Sequence, residues 1–204
     1  IVMDRDEAVF YNTQHSPIGA FASFTLGARG ARGGLAMELG KPADQNVFVG
    51  VEEESGGGFG CLPFFDHAED ESRRFDVAAT GAAWSSLLRP FAASEITREL
   101  SPQKDVWRAG NLEFSIHTPV CGAPPPSAPR EEQMLAYVPA ITAELTIDNR
   151  KGAKARRVVF GYHGNDPYSS MRQFEAGQAI KGIAHGSTAI ACADRGMRAS
   201  QGFT

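Results

Sequence analysis

The sequence predicts an all-β protein, with two antiparallel sheets packed face to face as a sandwich. Three observations carry this. Short runs of alternating or apolar residues recur along the chain, separated by turn-forming residues. Glycine and proline are abundant, 22 and 12 of 204 residues, as an architecture with many turns requires. Helical periodicity is scarce. A hydrophobic fraction of 42% against 22% charged is enough for an ordinary globular core, and the whole of 1–204 reads as one domain.

Residues 20–26 (AFASFTL) alternate bulky and small side chains, as a half-buried strand does. The glycine-rich stretch 27–34 (GARGARGG) has the look of a phosphate loop. Residues 35–39, directly after it, read as strand and not as the helix an anion loop must open, so a hairpin loop fits better. Residues 47–51 (VFVGV), 95–100, 106–109 and 112–118 continue the series. Gly110-Asn111 marks a tight hairpin between the last two. The alternation is clearest in 140–148, where Ile141, Ala143, Leu145 and Ile147 share one face, and in 153–162. The polar turn Asn149–Gly152 between them predicts a long antiparallel hairpin. Ile183 and 188–193 form another, turning at His185-Gly186-Ser187. Residues 66–75 suit a short charged helix or an ordered loop, 94–100 a helix or a strand, and 166–170 a capped short helix. The segments 52–60 and 122–130 read as irregular, the second extended and exposed because of Pro124-Pro125-Pro126.

A net charge of −4 with only isolated pairs of adjacent basic residues excludes the basic surface of a nucleic-acid binder. No apolar run approaches the ~20 residues of a membrane span. The acidic start IVMDRDE lacks the apolar segment of a leader. Three widely spaced cysteines, Cys61, Cys121 and Cys192, suit free thiols in a reducing compartment. The expected location is therefore the cytoplasm.

No standard catalytic motif occurs, and the five histidines are scattered without metal-ligand spacing. Asp66, Glu69, Asp70 and Glu71 could offer paired carboxylates, but a run this polar beside Arg73 and Arg74 fits a solvated face better. Trp84 and Trp107 could stack on sugar rings, although a buried core tryptophan is the commoner case. His15-Ser16-Pro17 precedes the first clear strand, where the histidine either meets a ligand or caps the strand end.

Several longer blocks occur in order: HSPIGAFASFTLG (15–27), GGLAMEL (33–39), QNVFVGVE (45–52), LPF (62–64), EDESRRFD (69–76), WRAGNL (107–112), TIDN (146–149) and GNDPYSSMR (164–172). Together they resemble glycoside hydrolase family 52, from about residue 10 to about residue 198. The departures fall in loops 56–58, 80–86 and 122–130. The resemblance implies a retaining exo-β-xylosidase that releases terminal β-1,4-linked xylose from xylo-oligosaccharides, without cofactor or metal. It implies an N-terminal β-sandwich, incomplete by a few strands at Thr204, ahead of an (α/α)6 barrel. The Glu nucleophile and the Asp acid/base belong to that barrel. No position here matches the motifs around them, so no catalytic residue is carried over and the 204-residue chain is expected to be inactive. The implied partners are the xylo-oligosaccharide, the barrel and, through a face left uncovered, a second copy. Candidate substrate-binding residues are His15, Ser16, Asp166 and Arg172. They lie in loop segments beside strands, where a rigid sheet can aim polar groups. The alternatives are a stand-alone carbohydrate-binding module and a structural interaction domain.

Overall fold

The computed structural model describes residues 13–16, 22–27, 33–37, 44–66, 87–118, 122–163, 170–177, 179–194 and 196–200. Within them lie fourteen strands: β1 Thr13–His15, β2 Ala22–Leu26, β3 Gly34–Met37, β4 Val47–Glu52, β5 Phe59–Cys61, β6 Leu88–Pro90, β7 Ile96–Leu100, β8 Lys104–Ala109, β9 Leu112–His117, β10 Thr142–Ile147, β11 Val158–Tyr162, β12 Met171–Ala176, β13 Ile180–His185 and β14 Thr188–Cys192. A 3-10 turn, Ala93–Glu95, leads into β7, and one short helix, α1, spans Arg130–Ala136. The strands form four sheets, ordered β1-β2-β3, β11-β4-β5-β6, β10-β9-β8-β7 and β12-β13-β14. Every named pair is antiparallel except β5 with β6, which run parallel.

The two four-stranded sheets face each other across one core. Val47, Val49 and Val51 from β4 meet Trp107, Ala109, Leu112, Phe114 and Ile116 from β8 and β9, and Phe24 and Leu26 join from β2. Aromatic rings knit the layers. Phe114 stacks on Phe160 of β11 at 5.8 Å, Phe160 meets Phe24 edge-on at 6.2 Å, and Phe64 stands perpendicular to Trp107 at 5.0 Å. Such offset and edge-on pairs stabilise beyond area burial by about 0.5–1.5 kcal/mol each. The opposite face of β4 is covered as well, since Phe48 packs on Phe59, Cys61, Phe65 and Leu88. That double cover explains why VFVGV reads as an unbroken apolar run.

Two expected hairpins form: β8 turns into β9 at Gly110, with φ +57°, and β13 into β14 at Gly186, with φ +59°. The long hairpin of 140–148 with 153–162 does not. Both segments contain strands, and the turn closes, Gly152 N–H donating to Asn149 O at 3.0 Å. Yet β10 bonds to β9, with Leu145 opposite Phe114, and β11 bonds to β4, with Phe160 opposite Val49. The reason is that the apolar faces of both strands look toward the same core from opposite layers. Alternation reveals which face is buried, not which neighbour supplies the hydrogen bonds. Residues 94–100 use both expected conformations, a 3-10 turn and then a strand. Helix α1 begins at the last residue of the stretch 122–130 read as irregular and continues into residues given no element, and none of its residues is buried. Its Gln133 side chain donates to Pro126 O and Ala128 O, at 3.1 and 2.7 Å, tying the proline segment to the helix. Residues 66–75, read as a short charged helix or an ordered loop, and 166–170, read as a capped short helix, lie almost wholly outside the described residues.

Candidate functional site

The register of β7 on β8 places Arg98 opposite Trp107 and Leu100 opposite Asp105. Arg98 and Asp105 are therefore diagonal neighbours on one face, within reach of a long side chain. Arg98 grips the carboxylate with both arms, Nε to Oδ1 at 2.8 Å and an Nη to Oδ2 at 2.7 Å. The same Nη nitrogen donates to Thr13 Oγ1 at 2.6 Å, and the guanidinium lies 4.5 Å over the Trp107 ring. His15, two residues along β1 from Thr13, brings Nε2 to 3.3 Å from Asp105 Oδ2. That is ion-pair distance without hydrogen-bond alignment. Asp105 is 0% exposed and His15 4%. Burial pushes the Asp105 carboxyl up, but the contacts from His15 and Arg98 outweigh it and hold it below the ordinary carboxylate range. The network ties β1 to the facing sheet through a buried, ionised carboxylate. A carboxylate so held cannot donate a proton near neutrality.

The four candidates therefore occupy different settings. His15 is in the buried network, while Ser16, the next residue, is exposed and lies 3.2 Å from the donating Gln14 Nε2. Arg172 is exposed on β12, its Nε donating to Ser170 Oγ at 3.3 Å. Asp166 lies outside the described residues. Sheet β12-β13-β14 is joined to β11 where Tyr162 meets His185, ring to ring at 6.3 Å, and Thr188 Oγ1 at 3.3 Å. Trp107, a candidate sugar platform, is 1% exposed and belongs to the core. Trp84 and the acidic residues Glu69, Asp70 and Glu71 lie outside the described residues, as do His67 and Cys121. Sequence reasoning missed Asp105 and Arg98. The available signal was a charge next to Val106-Trp107 in a strand whose consecutive residues Asp105, Val106 and Trp107 are all buried.

Face-to-face sheets around an aromatic core define a β-sandwich-like domain. Residues 24–204 match glycosyl hydrolase family 52, and the chain belongs to that family. A protein of Geobacillus stearothermophilus named Beta-xylosidase is 44% identical over 203 residues, covering 96% of this chain and 29% of that protein. A second protein of that name from the same organism is 37% identical over 208 residues, covering 95% of this chain and 34% of its own length. The chain thus spans about a third of the length of these two relatives.

Proposed function

We propose that the chain is the N-terminal sandwich of a retaining exo-β-xylosidase that removes terminal β-1,4-linked xylose from xylo-oligosaccharides. The 44% identity to a protein named Beta-xylosidase, sustained over 96% of this chain, carries the reading. The nucleophile and the acid/base come from the part of the enzyme that corresponds to the unspanned length of the relatives, a C-terminal barrel. This domain packs against that barrel and helps shape its sugar pocket. Helix α1 supports a docking role. Met134, Leu135, Tyr137 and Val138, on it and just beyond it, are 64, 69, 40 and 48% exposed. Such clustered apolar exposure marks an interaction surface. Without the barrel, the same face serves self-association of two copies. Ser16, Asp166 and Arg172 are the candidates for contact with sugar hydroxyls, while His15 acts through the Asp105 network as a positioning residue. The free thiol of Cys192 suits a cytoplasmic enzyme.

An aryl β-xyloside assay tests the division of labour. The longer parent protein turns over and the 204-residue chain does not; turnover by the purified chain overturns the assignment of chemistry to the barrel. In the parent, Arg172→Ala lowers kcat/KM at unchanged thermal stability. Wild-type kinetics in both Arg172→Ala and Ser16→Ala removes these residues from the pocket.

A further inference from the structure

One end of the sandwich carries two loops of opposite charge. Residues 52–54 (EEE) close β4 toward β5, and 150–157 (RKGAKARR) connect β10 to β11. They pair across a gap: Arg157 Nη with Glu52 Oε1 at 3.2 Å, and Arg156 Nε donating to Glu52 O at 2.6 Å. Between them lies a cleft of about 450 Å³ lined by Glu54, Asn111, Asp148, Asn149, Lys151 and Arg156. A neighbouring lobe of about 260 Å³ shares Glu54, Asn111 and Arg156 with it and adds Arg89 and Phe91. The larger volume falls within the roughly 300–1,000 Å³ of small-molecule sites.

Two polar groups of the lining, Arg156 and Asn149, carry the argument. The Arg156 side chain is 7% exposed; its Nε donates to Glu52 O at 2.6 Å, and an Nη nitrogen stands 3.7 Å from Glu54 Oε1, on a carboxylate 74% exposed. Asn149 donates Nδ2 to Lys154 O at 2.8 Å, but its Oδ1 is buried without a partner among the described residues. Arg156 lines both lobes of the cleft, so its Nη donors are available to a ligand there. The lining of the larger cleft balances two carboxylates, Glu54 and Asp148, against two cations, Lys151 and Arg156. An anion would face both carboxylates and a cation both basic groups. Vicinal hydroxyls, each donor and acceptor at once, match a guanidinium and a carboxylate side by side without net charge.

We propose that this cleft binds a neutral sugar, with one ring on Arg156 and Glu54 and the next in the lobe beside Phe91. The choice of a xylose-based ligand rests on the function proposed above; the choice of a neutral polyol rests on the cleft alone. The test is an NMR titration of the ¹⁵N-labelled chain with xylobiose, with maltose as a second neutral sugar and with inorganic phosphate. Xylobiose should produce saturable shifts at the Asn111 and Asn149 side-chain amides and at Arg156 Nε. Arg156→Met should weaken binding at least tenfold. Glu54→Ala, at an exposed position that leaves the fold intact, should weaken it several-fold. Saturation by maltose alone supports the sugar site and counts against the xyloside reading. Absence of saturable shifts with both sugars, shifts with phosphate only, or sugar binding unchanged in Glu54→Ala and Arg156→Met overturns the proposal. None of those three outcomes touches the β-xylosidase assignment, which stands or falls on turnover by the parent enzyme.

Discussion

Replacing Asp105 with alanine should be among the most damaging single changes available. The carboxylate is 0% exposed and holds Arg98 by two hydrogen bonds, at 2.8 and 2.7 Å, with His15 at 3.3 Å. The Arg98 side chain is 15% exposed and that of His15 5%, so neither can turn fully to water. Removing one member of a buried ion pair destabilises by about 3–5 kcal/mol, because the other charge stays buried without compensation. For a chain of this size that lowers Tm by about 6–20 °C, at roughly 2–4 °C per kcal/mol. Replacing both partners, Asp105→Leu with Arg98→Met, removes the stranded charge and should recover much of the loss. The folded pKa of Asp105 is depressed, so its contribution is complete above the unfolded value of about 3.9 and fades as pH falls through the folded value. The difference between wild type and Asp105→Asn should accordingly shrink below about pH 4. Urea denaturation of these proteins, and of the Asp105→Leu and Arg98→Met single variants, across pH 3–7 measures all of this. A single-variant loss under about 1 kcal/mol, or a double variant that loses the sum of the singles, would refute a coupled buried pair.

Phe114→Ala should lose about 3–5 kcal/mol, because a 1%-exposed ring that joins Phe64 and Phe160 leaves a cavity between the sheets; the midpoint of urea unfolding reads it. Gly60→Ala places a methyl 2.8 Å from Phe91 Cζ, so the ring must shift, and calorimetry should show a loss of about 1–3 kcal/mol. Met134→Lys with Leu135→Lys should abolish concentration-dependent association without changing Tm, since both side chains are more than half exposed. Sedimentation velocity decides that one, and a wild-type chain that stays monomeric at high concentration removes the reasoning behind it.

Local signals carried much of the fold into the sequence. The hairpins at Gly110 and Gly186 were legible because a two-residue turn forces its flanking strands together. The pairing of β10 and β11 was not, since long-range partners depend on which layer each apolar face joins. Helix α1 was hidden because seven residues with no buried face produce no periodicity, and the prolines before it argue for loop. For the candidate site, His15 was legible as a polar residue at a strand end, but its partner stands 90 positions away in the chain numbering, at Asp105. No spacing rule reaches across that distance. Arg156 was equally invisible, since nothing in a basic run tells which guanidinium will be covered.

The bonding of β11 to β4 bears on how the protein is made. Arg157 N–H reaches Glu52 across 105 residues of chain, and at 5–20 residues per second a ribosome needs roughly 5–20 s to synthesise that interval. Throughout it the nascent chain presents the β4 edge, with its valines on one side and Phe48 on the other, to whatever is nearby. A strand apolar on both faces, waiting for its neighbour to leave the exit tunnel, is a natural client for a chaperone. A nascent chain stalled before residue 158 cannot complete that sheet, and production of this domain should depend on translation passing that point promptly.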